Sequence, residues 1–245
     1  MNNPVLLLIH GFPLDARMWS AQADALLDIR NVMTPDLPGH GANRSAPLES
    51  VGAMAEWLRD QLDDAGVEAV DLAGFSMGGY VAFEFWRRYP RRVRSLSLVD
   101  TRASAETDAG RAGRDDARAA VRERGVGVIA DSMLPRLLTD NAPVGQRDAV
   151  HRWMLESRPE TVLADLLALR DRPESISSLK TIDVPSLVVV GERDQVTPPA
   201  DAEQIAGGIP GATLAVVPGA AHLAPVEQAT LVSEALRAHL LAART

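Results

Sequence analysis

The chain has 245 residues, a formal net charge of −8, 46% hydrophobic residues and no cysteine. That is apolar material enough for one large domain or two small ones, and the negative balance argues against nucleic acid or an anionic membrane as the main partner. The lack of cysteine excludes disulfides, thiol catalysis and Cys-ligated metal.

The chain opens Met-Asn-Asn-Pro and goes straight into a strand-like run. It shows no basic segment followed by an apolar h-region and cleavage site, and no apolar run near the ~20 residues that cross a bilayer, so a cytoplasmic protein off the membrane is expected. Val5 to Ile9 is wholly apolar, as in the middle of a parallel sheet, and ends at His10-Gly11. A helix with Trp19 and Leu26 follows, then a strand from Asn31 to Asp36 and the turn-rich loop Leu37-Pro38-Gly39-His40-Gly41. Ser50 to Ala65 has Val51, Met54, Leu58 and Leu62 at three- and four-residue steps, which predicts a helix. Val70 to Phe75 predicts a central strand, and Ser95 to Asp100 the next one. Strands alternating with helices give a parallel α/β sheet, whose functional groups gather at the carboxyl ends of the strands. Gly11, Asp36, Ser76 and Asp100 all fall at those ends.

From Thr101 to Thr181 the alternation stops. A βα crossover needs only about a dozen residues. This stretch is rich in Arg and Ala and divided by prolines, with a plainly helical piece from Glu160 to Arg170. We read residues 102–180 as a helical lid on a core made of residues 1–101 and 181–245. The core resumes with strands at Ser186 to Gly191 and Ala212 to Val217, a helix from Ala200 to Ala206, and a C-terminal helix from Pro225 to Leu241.

The chemistry centres on Gly74-Phe75-Ser76-Met77-Gly78. The bare G-x-S-x-G frame arises by chance in roughly 0.1 of chains this long. Here an apolar strand precedes it and an amphipathic helix with Val81, Phe83 and Phe85 follows. Such a turn strains the serine backbone, exposes its hydroxyl and aims the amide of Met77 at it, which is half of an oxyanion hole. A serine hydroxyl needs a base and a carboxylate that orients the base. Of the five histidines, His10 and His40 lie in early loops, His151 in the insertion and His239 on the last helix; only His222 follows the last strand in a glycine-containing loop. Asp194 ends the strand before it and is the favoured carboxylate, with Asp100 as the alternative.

With His10-Gly11-Phe12, Asp36-Leu37-Pro38-Gly39-His40-Gly41, the Ser76 turn, Asp194 and His222 in that order, nearly the whole chain resembles a lidded α/β-hydrolase, most similar to small carboxylesterases and 3-oxoadipate enol-lactonase-like proteins. The resemblance implies a mostly parallel sheet flanked by helices, with the lid between the sixth and seventh family strands. It implies the amide of Phe12 as second oxyanion donor, a triad of Ser76, Asp194 and His222, no metal or cofactor, and an ester or lactone of a small molecule as substrate. Leu14, Trp153 and Met154 are candidate substrate contacts, with plain packing as the alternative. Arg102, at the catalytic end of its strand, can meet a substrate carboxylate or make a structural ion pair, the plainer reading. The same scaffold also serves cofactor-free perhydrolases and haloperoxidases, C–C hydrolases and lyases, and receptors that lose triad members; a dehalogenase would need a carboxylate where Ser76 stands. Oligomeric state is not readable from these motifs.

Overall fold

The computed structural model describes residues 4–243. The first three residues of the Met-Asn-Asn-Pro start, and residues 244–245 at the end of the expected core, lie outside the described residues.

Six strands form one sheet: β1 (Val5–Ile9), β2 (Asn31–Met33), β3 (Val70–Phe75), β4 (Val93–Val99), β5 (Ser186–Gly191) and β6 (Thr213–Val217). Their order is β2-β1-β3-β4-β5-β6 and every pairing is parallel. The central strands β3 and β5 are buried along their whole length, as expected where helices cover both faces. The strand expected from Asn31 to Asp36 stops at Met33. Pro35 has no amide to donate, and the Asp36 side chain instead accepts from the amides of Ala16 and Ala42, which turns the chain off the sheet.

On the core, α1 (Ser20–Leu26), α2 (Val51–Asp64), α3 (Met77–Arg88), α8 (Pro199–Gly208) and the C-terminal pair α9 (Ala224–Glu227) and α10 (Ala229–Ala242) follow or precede the strands. Ser50 caps α2 by accepting from the amide of Ala53. The C-terminal helix expected as one piece is broken at Gln228, whose backbone leaves the helical region at φ −127°, ψ 53°. Between β4 and β5 come four helices, α4 (Asp108–Arg124), α5 (Gly127–Leu137), α6 (Val144–Leu155) and α7 (Pro159–Arg170).

The insertion helices share the core's two apolar clusters. Val162, Leu166 and Leu169 of α7 join one with Phe12, Leu37, Met77 and Tyr80. Leu137, Leu138, Val150 and Met154 join the other with Leu14, Trp19, Phe75 and Leu223. Helices from the insertion and strands from the core therefore exclude water together. Among the described residues no helix is long and apolar enough to cross a membrane.

A buried ion pair is anchored within the sheet. Asp71 of β3 is buried and pairs at 2.6 Å with buried Arg30, while Ser95 of β4 donates to it at 2.8 Å. Arg30 also donates to the Leu240 carbonyl on α10 at 2.5 Å, so the pair ties the far end of the sheet to the last helix. Removing one partner strands the other charge without water. Asp71→Ala should lower unfolding free energy by about 3–5 kcal/mol in urea titration; a loss under about 1 kcal/mol would show that the pair is not sealed.

Candidate active site

The sheet order puts β1 between β2 and β3, so the chain direction of the crossovers reverses there. Crevices outside the carboxyl ends of strands at such a switch are where open α/β sheets bind ligands. Ser76 stands at that end of β3, and Phe12 follows β1 beside it.

The turn at Ser76 is geometrically forced. Ser76 has φ 51° and ψ −111°, a conformation that costs a side-chain-bearing residue on the order of 1–3 kcal/mol. Its neighbours hold it there: its amide donates to the Val99 carbonyl at 2.9 Å, and its carbonyl accepts from Thr101 Oγ1 at 2.8 Å. A Cβ on Gly74 would lie 2.2 Å from the Gly78 carbonyl oxygen, and one on Gly78 would lie 2.3 Å from that of Ile9 in β1. Both glycines are therefore required by close backbone approach, as the G-x-S-x-G spacing suggested.

Ser76 Oγ lies 2.9 Å from His222 Nε2, and His222 Nδ1 lies 2.8 Å from Asp194 Oδ2. With the proton on Nδ1 donated to Asp194, Nε2 is free to accept from the serine. His222 and Asp194 are buried, while Ser76 keeps some exposure. Asp194 also accepts from the amides of Val196 and Thr197 at 2.7 and 3.0 Å and from Thr197 Oγ1 at 2.7 Å. Burial alone would push its carboxyl up, but the His222 charge and these bonds outweigh it and hold Asp194 below its ordinary range.

Asp100, the alternative carboxylate, is placed differently. It is fully buried at φ 44°, its Oδ1 accepts from the Gly191 amide at 2.7 Å, and the Ala224 amide is its other backbone hydrogen-bond neighbour. Burial, and then the negative charge of Asp194, push it well above the carboxylate range. The imidazole bonds to Asp194.

The amides of Phe12 and Met77 donate to no protein acceptor among the described residues, Met77 being the first residue of α3. His10, His40 and His151 have structural partners. His10, brought down to about 3 by burial and by neighbouring His40, accepts from the Leu37 amide at 3.1 Å. His40 bonds the Leu14 carbonyl at 3.0 Å and Asp165 of α7 at 3.3 Å. His151 pairs with Asp131 within the insertion at 2.9 Å, and His239 lies on α10.

Of the candidate substrate contacts, Leu14 and Met154 are buried in one apolar cluster with Phe75, and Trp153 is half-buried with the Arg17 guanidinium 5.6 Å above its ring. Two further residues hold the site and were not singled out from the sequence. Thr197 clamps Asp194 and lies 3.3 Å from His222 Nδ1; its spacing of three from an aspartate is the signal of a side-chain-capped turn. Glu227 accepts from the Ala221 amide at 2.7 Å and from the Thr139 amide at 2.9 Å, tying the His222 loop to the insertion. Nothing local marks it, because both partners are remote in sequence or bonded through backbone. Among the described residues no cluster of His, Asp and Glu has the arrangement of a metal site.

Residues 4–229 match the alpha/beta hydrolase fold family. The chain belongs to that family. It superposes on a thermophilic esterase from Thermogutta terrifontis with a TM-score of 0.96 and 38% identity, over 100% of this chain and 92% of that one. A pimeloyl-[acyl-carrier protein] methyl ester esterase from Nitrosomonas europaea is 28% identical over 233 residues, 90% of this chain and 89% of that protein. The dihydrolipoyllysine-residue acetyltransferase component of an acetoin cleaving system from Cupriavidus necator is 31% identical over 248 residues. That match covers 96% of this chain and only 63% of the relative's length.

The His40–Asp165 bond is a pH-sensitive pin between the sheet edge and α7. Burial lowers the histidine, but the Asp165 charge and bond overcome it, so His40 titrates above its ordinary value. Its contribution to stability is complete below the unfolded pKa of about 6.5 and disappears as pH rises through the folded value. The difference in melting temperature between wild type and His40→Gln should therefore be largest in mild acid and shrink towards alkaline pH. A constant difference from pH 5 to 9 would contradict the pin.

Proposed function

We propose that this protein is a serine hydrolase of small carboxylic esters or lactones that works through an acyl-enzyme on Ser76. The observation that carries the reading is the unbroken chain of short contacts from Ser76 Oγ through His222 to Asp194 at the open end of the sheet. An esterase that superposes at a TM-score of 0.96, and a methyl ester esterase among the sequence relatives, support the ester class.

Ser76 Oγ attacks the carbonyl carbon while His222 Nε2 takes its proton. Asp194 keeps the imidazole in the tautomer that can do so and stabilises its cation. The negative charge that develops on the carbonyl oxygen is met by the unpaired amides of Met77 and Phe12. Collapse expels the alcohol, which takes the proton from His222. His222 then takes a proton from a water that attacks the acyl-enzyme, and as the second tetrahedral adduct collapses it returns that proton to Ser76 Oγ and the acid leaves. His222 Nε2 relays each proton in this cycle.

The helical insertion acts as a lid. Its apolar residues are fused to both core clusters, and Ser157 Oγ and Thr161 Oγ1 donate to the Pro13 and Gly39 carbonyls of the catalytic-edge loops at 2.8 and 2.9 Å. We place Leu14, Trp153 and Met154 in the acyl wall. A methylene gained or lost there is worth about 1–3 kcal/mol. Trp153→Ala and Met154→Ala should therefore reorder kcat/KM across acetyl to octanoyl esters by roughly 10-fold or more, without abolishing turnover.

The test is an ester and lactone panel with three variants. Ser76→Ala should lose turnover outright. Asp194→Asn should lower kcat by up to about 10⁴, by analogy with the serine protease in which that change leaves the wrong tautomer. Asp100→Asn should cost far less. Undiminished hydrolysis by folded Ser76→Ala rejects the mechanism, and a ranking with Asp100 above Asp194 rejects the triad as assigned. Peracid formation from acetate and hydrogen peroxide distinguishes the perhydrolase use of the same three residues.

A further inference from the structure

A cavity of about 330 Å³ opens where α4, α5 and the loop after β4 meet. Its wall carries four guanidiniums, those of Arg102, Arg114, Arg136 and Arg172, and one carboxylate, Glu106. The volume is in the range of small-ligand sites, roughly 300–1,000 Å³.

The cavity is tied to the Ser76 site at three points. Tyr80 in its wall is one turn along α3 from the nucleophile, a rise of about 5.4 Å, and its amide bonds the Ser76 carbonyl at 3.3 Å. Val196, also in the wall, donates its amide to Asp194 at 2.7 Å. Arg102 follows Thr101, whose hydroxyl holds the Ser76 carbonyl at 2.8 Å.

The arginines are not all accounted for by structure. Arg172 is built in: its side chain is 2% exposed, it donates to Glu106 at 2.9 Å and to the Leu169 carbonyl at 2.8 Å, and it lies 4.6 Å above the Tyr80 ring. Arg102 lies 3.3 Å from Asp201 and also donates to the Val196 carbonyl, so its structural ion pair is with Asp201 and not with Asp100 at the end of its own strand. Arg114 uses its Nε on Glu106 at 3.1 Å. Arg136, exposed on α5, has no partner among the described residues. Even with Asp201 included, four positive groups face two negative ones, in a chain whose net charge is −8. A surplus of positive charge in a concave, partly dry site is an attractor for an anion.

We propose that this cavity takes a carboxylate carried by the substrate, so that the preferred esters bear a free carboxylate a few bonds from the scissile carbonyl. This rests on the ester-hydrolase reading and narrows its substrate class. Planar guanidinium forks match the two in-plane oxygens of a carboxylate. The Gly110 amide in the wall, on the first turn of α4, is already bonded to Thr107 Oγ1 at 3.0 Å, so the site lacks the open backbone nest that wraps a phosphate at a helix start. Tyr80 and half-buried Met133 flank the forks with the apolar surface a methylene chain needs.

The full chain is assayed with monoethyl esters of succinic, glutaric and adipic acids, and with acetate esters of hydroxyalkanoic acids. Each is compared with the same ester carrying a carboxamide in place of the carboxylate. At least one carboxylate series should exceed its neutral counterpart by roughly 10- to 100-fold in kcat/KM, the worth of a charge-assisted hydrogen bond. Arg136→Gln, which breaks no internal ion pair, should narrow that ratio by about 10-fold. Independently of turnover, glutarate titrated by calorimetry should bind wild type and bind Arg136→Gln more weakly. Turnover of both series with no carboxylate preference overturns the cavity assignment and leaves the hydrolase reading. Glutarate binding weakened by Arg136→Gln, with no ester turned over, supports the cavity and overturns the hydrolase reading. Glutarate binding that is absent or indifferent to Arg136→Gln, or inorganic phosphate bound more tightly than glutarate, overturns the proposal.

Discussion

The turn at Ser76 exists only because three pieces of backbone touch there. The start of α3 lies so close to the end of β1 that no side chain fits at Gly78, and it folds back on β3 so tightly that none fits at Gly74. The serine is driven to positive φ by that approach and held by bonds to Val99 and Thr101 of the next strand and its loop. The strain and the exposure of its hydroxyl have one cause. So does the unpaired amide of Met77, since a helix that begins at that residue leaves its first amide without a helical acceptor.

Electrostatics completes what the backbone begins. Two carboxyls, Asp100 and Asp194, end neighbouring strands in one buried region, and Asp100 feels the charge of Asp194. Their surroundings separate them. Asp194 has a histidine, a hydroxyl and two amides; Asp100 has the Gly191 and Ala224 amides and no histidine or hydroxyl. Like charges in a site of low polarity are pushed apart in pKa, so the negative charge resides on Asp194, beside the imidazole. The same logic operates at the sheet edge, where burial and His40 keep His10 neutral while Asp165 favours the charged form of His40.

Much of this was readable in the chain because the signals were local. Six strands announce themselves as short apolar runs, and the glycine spacing around Ser76 states a backbone constraint directly. Asp194 and His222 stand out because strand ends in a parallel sheet share one edge, so position in the alternation becomes position in space. Other features depend on contacts between remote segments. Glu227 reads as an ordinary helical glutamate until the fold sets Thr139 and Ala221 against it. The arginine-lined cavity joins residues from β4's loop, α4, α5 and the end of α7, and only Arg102 had a position that hinted at it. The second strand is shorter than the stretch from Asn31 to Asp36 expected of it because Asp36 serves loop amides instead of the sheet.

The central claim is that Ser76 is an activated nucleophile whose reactivity comes from a neutral His222. The most direct measurement is the rate and site of phosphonylation by a fluorophosphonate, followed by peptide mass spectrometry. One phosphonyl group per chain should appear on Ser76, at a rate that collapses in folded His222→Ala. Modification of other residues, or a Ser76 rate indifferent to the loss of His222, would contradict it.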